Sequence, residues 1–266
     1  MKKITFLLFF SLVFINFCFP QQATHANSNK EYHWSFNRQP NNQPSTTEPI
    51  YQKLLTKFDG FYIGDTDKKE IYLTFDNGYE NGYTSAILDV LKEKKVPAAF
   101  FVTGHYLLDQ AELVKRMVAE GHIIGNHSWH HPNLVNVDDE RLKRELEKVK
   151  VKYQELTGRN DMTYLRPPQG VFSERTLALS KQQGYVNVFW SLAYKDWVVN
   201  EQKGWQYAYD QITKRVHPGA VMLLHSVSKD NAEALGKVID ELQKQGYQFK
   251  SLDDYLLSKH LKDLSF

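Results

Sequence analysis

The chain has almost no cysteine: one in 266 residues, Cys18. That residue lies in an apolar leader, so residues 27–266 carry no thiol, which excludes disulfides, thiolate metal sites and cysteine nucleophiles from the body of the protein. Excess charge of one sign is missing too. Lys and Arg number 33 and Asp and Glu 31, and Lys2 and Lys3 make up the difference. The rest is balanced and offers no broad surface for nucleic acid, whose affinity is built from phosphate neutralisation. No apolar run reaches the ~20 residues that span a bilayer as a helix. The longest, 4–19, is interrupted by Thr5, Ser11 and Asn16. No internal repeat or low-complexity block is present. Zinc peptidases need a glutamate directly after the first histidine of a His-x-x-x-His pair; here Ser128 follows His127.

What is present begins with Lys2-Lys3, the apolar run, Pro20 and the small-residue ending Thr24-His25-Ala26. This is the layout of an export signal over 1–26, cleaved after Ala26, with a retained N-terminal anchor as the alternative. Phe17 precedes Cys18, where lipid attachment calls for a small residue. Either way the protein is expected beyond the cytoplasmic membrane. Residues 27–67 read as an N-terminal extension, polar and aperiodic at first. From 68 to 258 short apolar runs alternate with amphipathic stretches, and 259–266 read as a tail. The runs 71–75, 98–102, 123–125, 163–166, 186–190, 221–224 and 247–250 are expected strands. Among the helices, one aligns Leu142, Leu146, Val149, Tyr153 and Leu156 and stops at Gly158. Another is expected to start at Asp109 and Glu112, in capping-box spacing. About seven parallel strands alternating with helices predict an α/β fold with barrel-like closure.

In such a barrel the chemistry gathers where the strands end. Asp76 and Asn77 follow the first run, His127 the third, Arg166 the fourth, Asp196 the fifth and His225 the sixth. Polar groups at apolar strand ends cost desolvation, so their convergence on one mouth calls for a common purpose. His127 and His131 have the i, i+4 spacing that puts two imidazoles on one side of a helical turn, able to share a divalent ion. The bland alternative is a His-rich surface segment, since His130 stands beside them.

Five segments in fixed order carry a resemblance: Thr74-Phe75-Asp76-Asn77-Gly78, the run from His127 to Pro132, Arg166-Pro167-Pro168, Asp196-Trp197 and Leu223-Leu224-His225. Together they resemble the polysaccharide deacetylase family, carbohydrate esterase family 4, whose fold is a deformed (β/α) barrel. The longer strings TFDNGYENGYT at 74–84 and LRPPQGVFS at 165–173 are similar to its peptidoglycan N-acetylmuramic acid deacetylases, the delta-lactam biosynthetic de-N-acetylases. That resemblance makes 68–258 the deacetylase domain and peptide-free peptidoglycan strands the substrate. It also implies action after a peptide-stripping amidase, in the cell wall or spore intermembrane space. Two alternatives stay open: a deacetylase of N-acetylglucosamine in peptidoglycan or chitin, and a non-catalytic glycan-binding module.

By the same resemblance, Asp76 is the base that takes the proton of the attacking water, and Arg166 keeps it ionised. His225 is the acid that protonates the departing amine, and Asp196 holds it as imidazolium. His127 and His131 are similar to the ligands of a divalent metal, zinc or a like ion. Trp197, Pro168 and Gly170 are expected to touch substrate, Trp197 by stacking on a sugar ring. His105 and Glu80 lie near the mouth and read as solvated loop residues. The sequence departs from the family at Asn77, where an aspartate usually completes the metal site. An amide brings no charge, so the ion is expected to be held weakly.

Overall fold

The computed structural model describes residues 27–264; the stretch read as an export signal lies outside them. After β1 (Tyr32–His33) and α1 (Pro49–Lys57), the first long strand is β2 (Glu70–Asn77). Its alternation organises the domain. Ile71, Leu73 and Phe75 enter the main apolar layer, whereas Tyr72 enters a second cluster with Phe61, Phe101, Tyr164 and Val188. The second phase faces the barrel interior, and it ends at Asp76, four residues beyond Tyr72. The strands β3 (Ala99–Val102), β4 (Ile123–Asn126), β5 (Tyr164–Leu165) and β8 (Ala220–His225) repeat the split. Phe100, Ile124, Leu165 and Met222 face the helices, and Phe101, Ile123, Tyr164 and Val221 face inward.

The helical layer consists of α2 (Thr84–Lys94), α3 (Gly104–Asp109), α4 (Ala111–Ala119), α5 (Asp139–Thr157), α6 (Glu174–Gln182), α7 (Trp205–Thr213), α8 (Lys229–Lys244) and α9 (Leu252–Asp263). As the periodicity predicts, α5 buries Leu142, Leu146, Val149 and Tyr153, and it ends at Gly158 in the left-handed conformation that glycine adopts without strain. The expected start at Asp109 does not form. Asp109 ends α3, and α4 follows Gln110 without a side-chain cap, because Thr103 starts an earlier helix by accepting a hydrogen bond from the Tyr106 amide.

All seven expected strands are present and parallel, in the order β7 (Val186–Asn187), β5, β4, β3, β2, β8, with β9 (Gln248–Phe249) on the lower end of β2. The sheet curls into a deformed barrel. Its gap between β7 and β8 is closed by residues 61–63 and 192: Phe61 bridges Val188, Ile63 bridges Ala220 and Leu192 bridges Met222. Residues read from the sequence as an extension are therefore part of the closure. Farther up, β1 pairs antiparallel with β6 (Val171–Phe172), and Trp34 sits among Tyr51, Tyr62, Phe189 and Trp190. At the other end α9 runs past the expected boundary at 258. A capping box between Ser251 and Asp254 starts it, and Lys262 pairs with Asp65 at 2.7 Å. Among the described residues no helix is long and apolar enough to cross a membrane.

Candidate active site

Two pairs of side chains face one another at the top of the barrel because of strand register. Asp76 and His225 are partners across β2 and β8. Both fall on the inward phase, so adjacent backbones hold them a strand spacing apart. Arg166, which follows β5, reaches Asp76 from across the barrel, its Nη1 donating to Oδ1 at 2.7 Å. The guanidinium is fully buried, donates from Nε to the Val188 carbonyl at 3.1 Å, and lies 4.1 Å from the centre of the Phe101 ring. Burial disfavours the Asp76 carboxylate, but Arg166 first, then His127 and His225, outweigh it, and the pKa ends below the ordinary value. The base is thus anionic at neutral pH and weakly basic.

The second pair is Asp196 and His225. One carboxylate oxygen meets His225 Nδ1 at 2.7 Å, and the other accepts from the His225 amide at 2.8 Å and from Asn231 Nδ2 at 2.5 Å. Tyr194 donates to the Asn231 oxygen and orients that amide. For His225, burial opposes the charge, yet Asp196, aided by Asp76, reverses the balance and raises the pKa. One edge of the imidazole is fixed, and Nε2 is left for a proton to be given away.

The loop after β4 brings His127 and His131 together, but not as a helical turn. Ser128 and His131 take left-handed φ values of 63° and 56°, and the segment is a tight loop that folds the two rings onto each other. Their Nε2 atoms lie 3.1 Å apart. Two nitrogens each ~2.0–2.1 Å from a tetrahedral ion would be about 3.3 Å apart, so the pair fits such an ion. His127 Nδ1 donates to the Arg166 carbonyl at 2.8 Å, which leaves Nε2 with a free lone pair. Burial pushes the His127 pKa down to about 4, against the opposing pull of Asp76, and burial lowers His131 as well. Neutral imidazoles are what a cation requires. Asp76 Oδ2 is 3.5 Å from His127 Nε2.

Asn77 lies one residue on, in the opposite phase of the strand. Its Nδ2 donates to Ser226 Oγ at 2.6 Å, and its buried Oδ1 has no partner among the described residues. An orphaned amide acceptor fits a divalent ion in chemical type, but Asn77 lines neither chamber over the two imidazoles, and the set lacks an anionic ligand. Among the described residues no three His, Asp, Glu or Cys side chains form a complete metal cage.

A cavity of about 820 Å³ opens over these groups and is walled by Tyr79, Leu108, Trp129, Trp197 and Val227. A smaller chamber of about 350 Å³ shares Asp76, His127, His131, Trp197 and His225 and continues to Gln169, Gly170, Trp190 and Leu223. Trp197 is half exposed and lies against the His225 ring at 5.4 Å. Of the expected substrate contacts, Trp197 and Gly170 line the cavities; Pro168 is buried and lines neither, and Gln169 takes its place. His105 is exposed on the cavity wall and pairs with Asp109 at 3.1 Å. Glu80 is not a solvated loop residue. It accepts from the amides of Gly82 and Thr84 and from the Tyr106 hydroxyl, tying the loop after β2 to α2 and α3. Trp129 and His130 fall inside the motif at 127–132 but had no role assigned from sequence, and Trp190 had no signal at all; His130 is held by the buried carboxylate of Glu145 at 2.8 Å.

A carboxylate held ionised by arginine, next to an imidazole whose charged form Asp196 favours, equips the site to move one proton in each direction around an amide. The chain belongs to the polysaccharide deacetylase family, whose sequence profile matches residues 63–188. It is 53% identical over 234 residues to the peptidoglycan-N-acetylmuramic acid deacetylase PdaA of Bacillus subtilis, over 88% of this chain and 89% of that one. The solved structure of PdaA, a family 4 carbohydrate esterase, superposes with a TM-score of 0.86 over 87% of this chain and 99% of PdaA. A peptidoglycan-N-acetylglucosamine deacetylase of Bacillus cereus is 34% identical, over 74% of this chain and 71% of that one.

Proposed function

We propose that this protein hydrolyses the acetamide of N-acetylmuramic acid in peptide-free peptidoglycan strands, outside the cytoplasmic membrane. The observation that carries the reading is the juxtaposition of Asp76–Arg166 and Asp196–His225 at one barrel mouth, in a chain 53% identical to PdaA. Asp76 accepts the proton of a water as its oxygen attacks the acetyl carbonyl. His225 then gives a proton to the nitrogen as the carbon–nitrogen bond breaks, so acetate and a free amine leave. Arg166 keeps the base ionised and aimed. Trp197 offers a face on which a sugar ring can stack. His127 and His131, with the Asn77 oxygen, are the residues that would hold a divalent ion, which supplies electrostatic stabilisation of the developing oxyanion.

The product has a further chemistry of its own. The freed amine on C2 and the lactyl carboxyl on O3 span a six-membered ring through N, C2, C3, O3, the lactyl carbon and the carbonyl. Intramolecular placement supplies effective molarities of up to ~10⁵–10⁸ M, so closure to a muramic delta-lactam needs no second substrate. A lactyl group already joined to a stem peptide would obstruct the groove. The enzyme therefore follows a peptide-stripping amidase, in a wall that makes the lactam, with the spore cortex as the setting. Acetate release from purified peptide-stripped strands, with mass spectrometry of the digested sugars, tests the reading. Loss of acetyl from muramic acid is expected, followed by loss of one water. Loss from glucosamine alone refutes the substrate, and binding without acetate refutes the activity.

A further inference from the structure

Gln169 shares a left-handed backbone with Ser128 and His131 but, unlike them, is exposed. It is non-helical within a short turn at φ 60° and ψ 5°, a left-handed conformation that a side chain with a Cβ disfavours. The turn is clamped from both sides. Gly170 donates to the Pro167 carbonyl at 3.1 Å and its own carbonyl accepts from the Trp34 amide at 2.9 Å. The Trp34 indole donates to the Trp190 carbonyl at 3.0 Å. A Cβ at Gly170 would lie 2.8 Å from Trp190 and 3.1 Å from Trp34, so the backbone after Gln169 packs directly against both residues. Pairing of β1 with β6 immediately follows. The N-terminal strap therefore holds Gln169 in a conformation it would not choose alone.

Gln169 lines the smaller chamber, whose other polar members, Asp76, His127, His131 and His225, already have roles in the reaction. Trp190, Trp197, Gly170 and Leu223 supply the remaining wall. Among the described residues the Gln169 amide has no hydrogen-bond partner. It is a free donor and acceptor beside the reacting centre. A sugar whose C2 acetamide lies between Asp76 and His225 carries its C3 substituent on the adjacent carbon, so a neighbouring wall must meet it. Among the described residues no lysine or arginine lines this chamber.

We infer that Gln169 is a specificity-determining residue whose amide reads the substituent at C3 of the sugar and donates to the lactyl carboxylate that distinguishes muramic acid from glucosamine. The inference rests on the proposed substrate and adds to it the group that recognises it. A neutral donor suits the task. It binds the carboxylate without placing a second cation beside His225, whose charge the reaction uses.

Kinetics of acetate release from peptide-free strands test this with Gln169→Gly and Gln169→Glu. Glycine accepts the left-handed turn, so that variant should keep or raise the melting temperature while KM rises at least tenfold and kcat stays within about threefold. Glutamate should raise KM further, and added salt should recover part of that loss, because like charges then meet in the groove. A structural role alone would lower the melting temperature and give no salt response. If wild type acts on muramic acid and Gln169→Gly keeps its KM and its preference over glucosamine, this inference fails alone. If wild type frees acetate only from glucosamine, the substrate reading fails and this inference fails with it.

Discussion

Replacing Asp196 by Asn removes one charge from the second pair while keeping the side-chain shape. The carboxylate accepts from His225 Nδ1 at 2.7 Å and from the His225 amide at 2.8 Å, and its side chain is fully buried. With that anion gone, the burial that opposes the imidazolium is no longer outweighed, and the His225 pKa falls. The acid must carry its proton before the amine departs, so activity is lost as pH rises through the folded-state pKa. In wild type that value is raised and the alkaline limb lies above the ordinary histidine range of ~6.5. In the variant the limb moves to lower pH. Rates at pH 8 should drop by about 100-fold, the lower end of what a lost general acid costs, and by less at pH 6. Stability follows the same sign. A raised histidine pKa stabilises the fold below the unfolded value and loses that contribution as pH climbs through the folded one. Breaking a buried pair costs about 3–5 kcal/mol, and each kcal/mol shifts the melting temperature by about 2–4 °C at this chain length. A loss of roughly 6–20 °C at pH 5.5 is therefore expected, shrinking by pH 9. The assays are pH–rate profiles of acetate release and calorimetric melting at both pH values. An alkaline limb that stays where it is in Asp196→Asn would show that His225 does not depend on Asp196 for its proton.

Asp76→Asn should reduce acetate release by at least ~100-fold while leaving a folded protein, as judged by circular dichroism, and near-wild-type turnover would remove Asp76 from the mechanism. Asn77→Asp adds one negative charge at the position expected to complete the ligand set and should tighten zinc binding in calorimetric titration; equal affinities would strike residue 77 from that set. Trp34→Ala removes the centre of an aromatic cluster and should cost about 3–5 kcal/mol in urea unfolding, and a loss below 1 kcal/mol would mean that the strap does not brace the fold.

The order of apolar runs was enough to predict seven parallel strands in a barrel, because burial on both faces forces continuous apolar stretches whatever the tertiary detail. The candidate residues at the strand ends were legible for a related reason: Asp76, Arg166 and His225 are polar groups directly after runs that otherwise exclude them, and desolvation makes such positions rare without a use. The five ordered motifs carried the family and the substrate class, which spacing alone did not. The partnerships were decided only in three dimensions. Asp76 and Arg166 are 90 positions apart and Asp196 and His225 are 29 apart, and no local pattern encodes contacts made by strand register and barrel curvature. The left-handed turns at Ser128, His131 and Gln169 were equally hidden, since none is a glycine and each is imposed by surrounding structure against local preference. The same holds for residues 61–63, which closed the barrel: whether a short stretch fills a gap between two strands depends on the gap, and the gap exists only once the chain has folded.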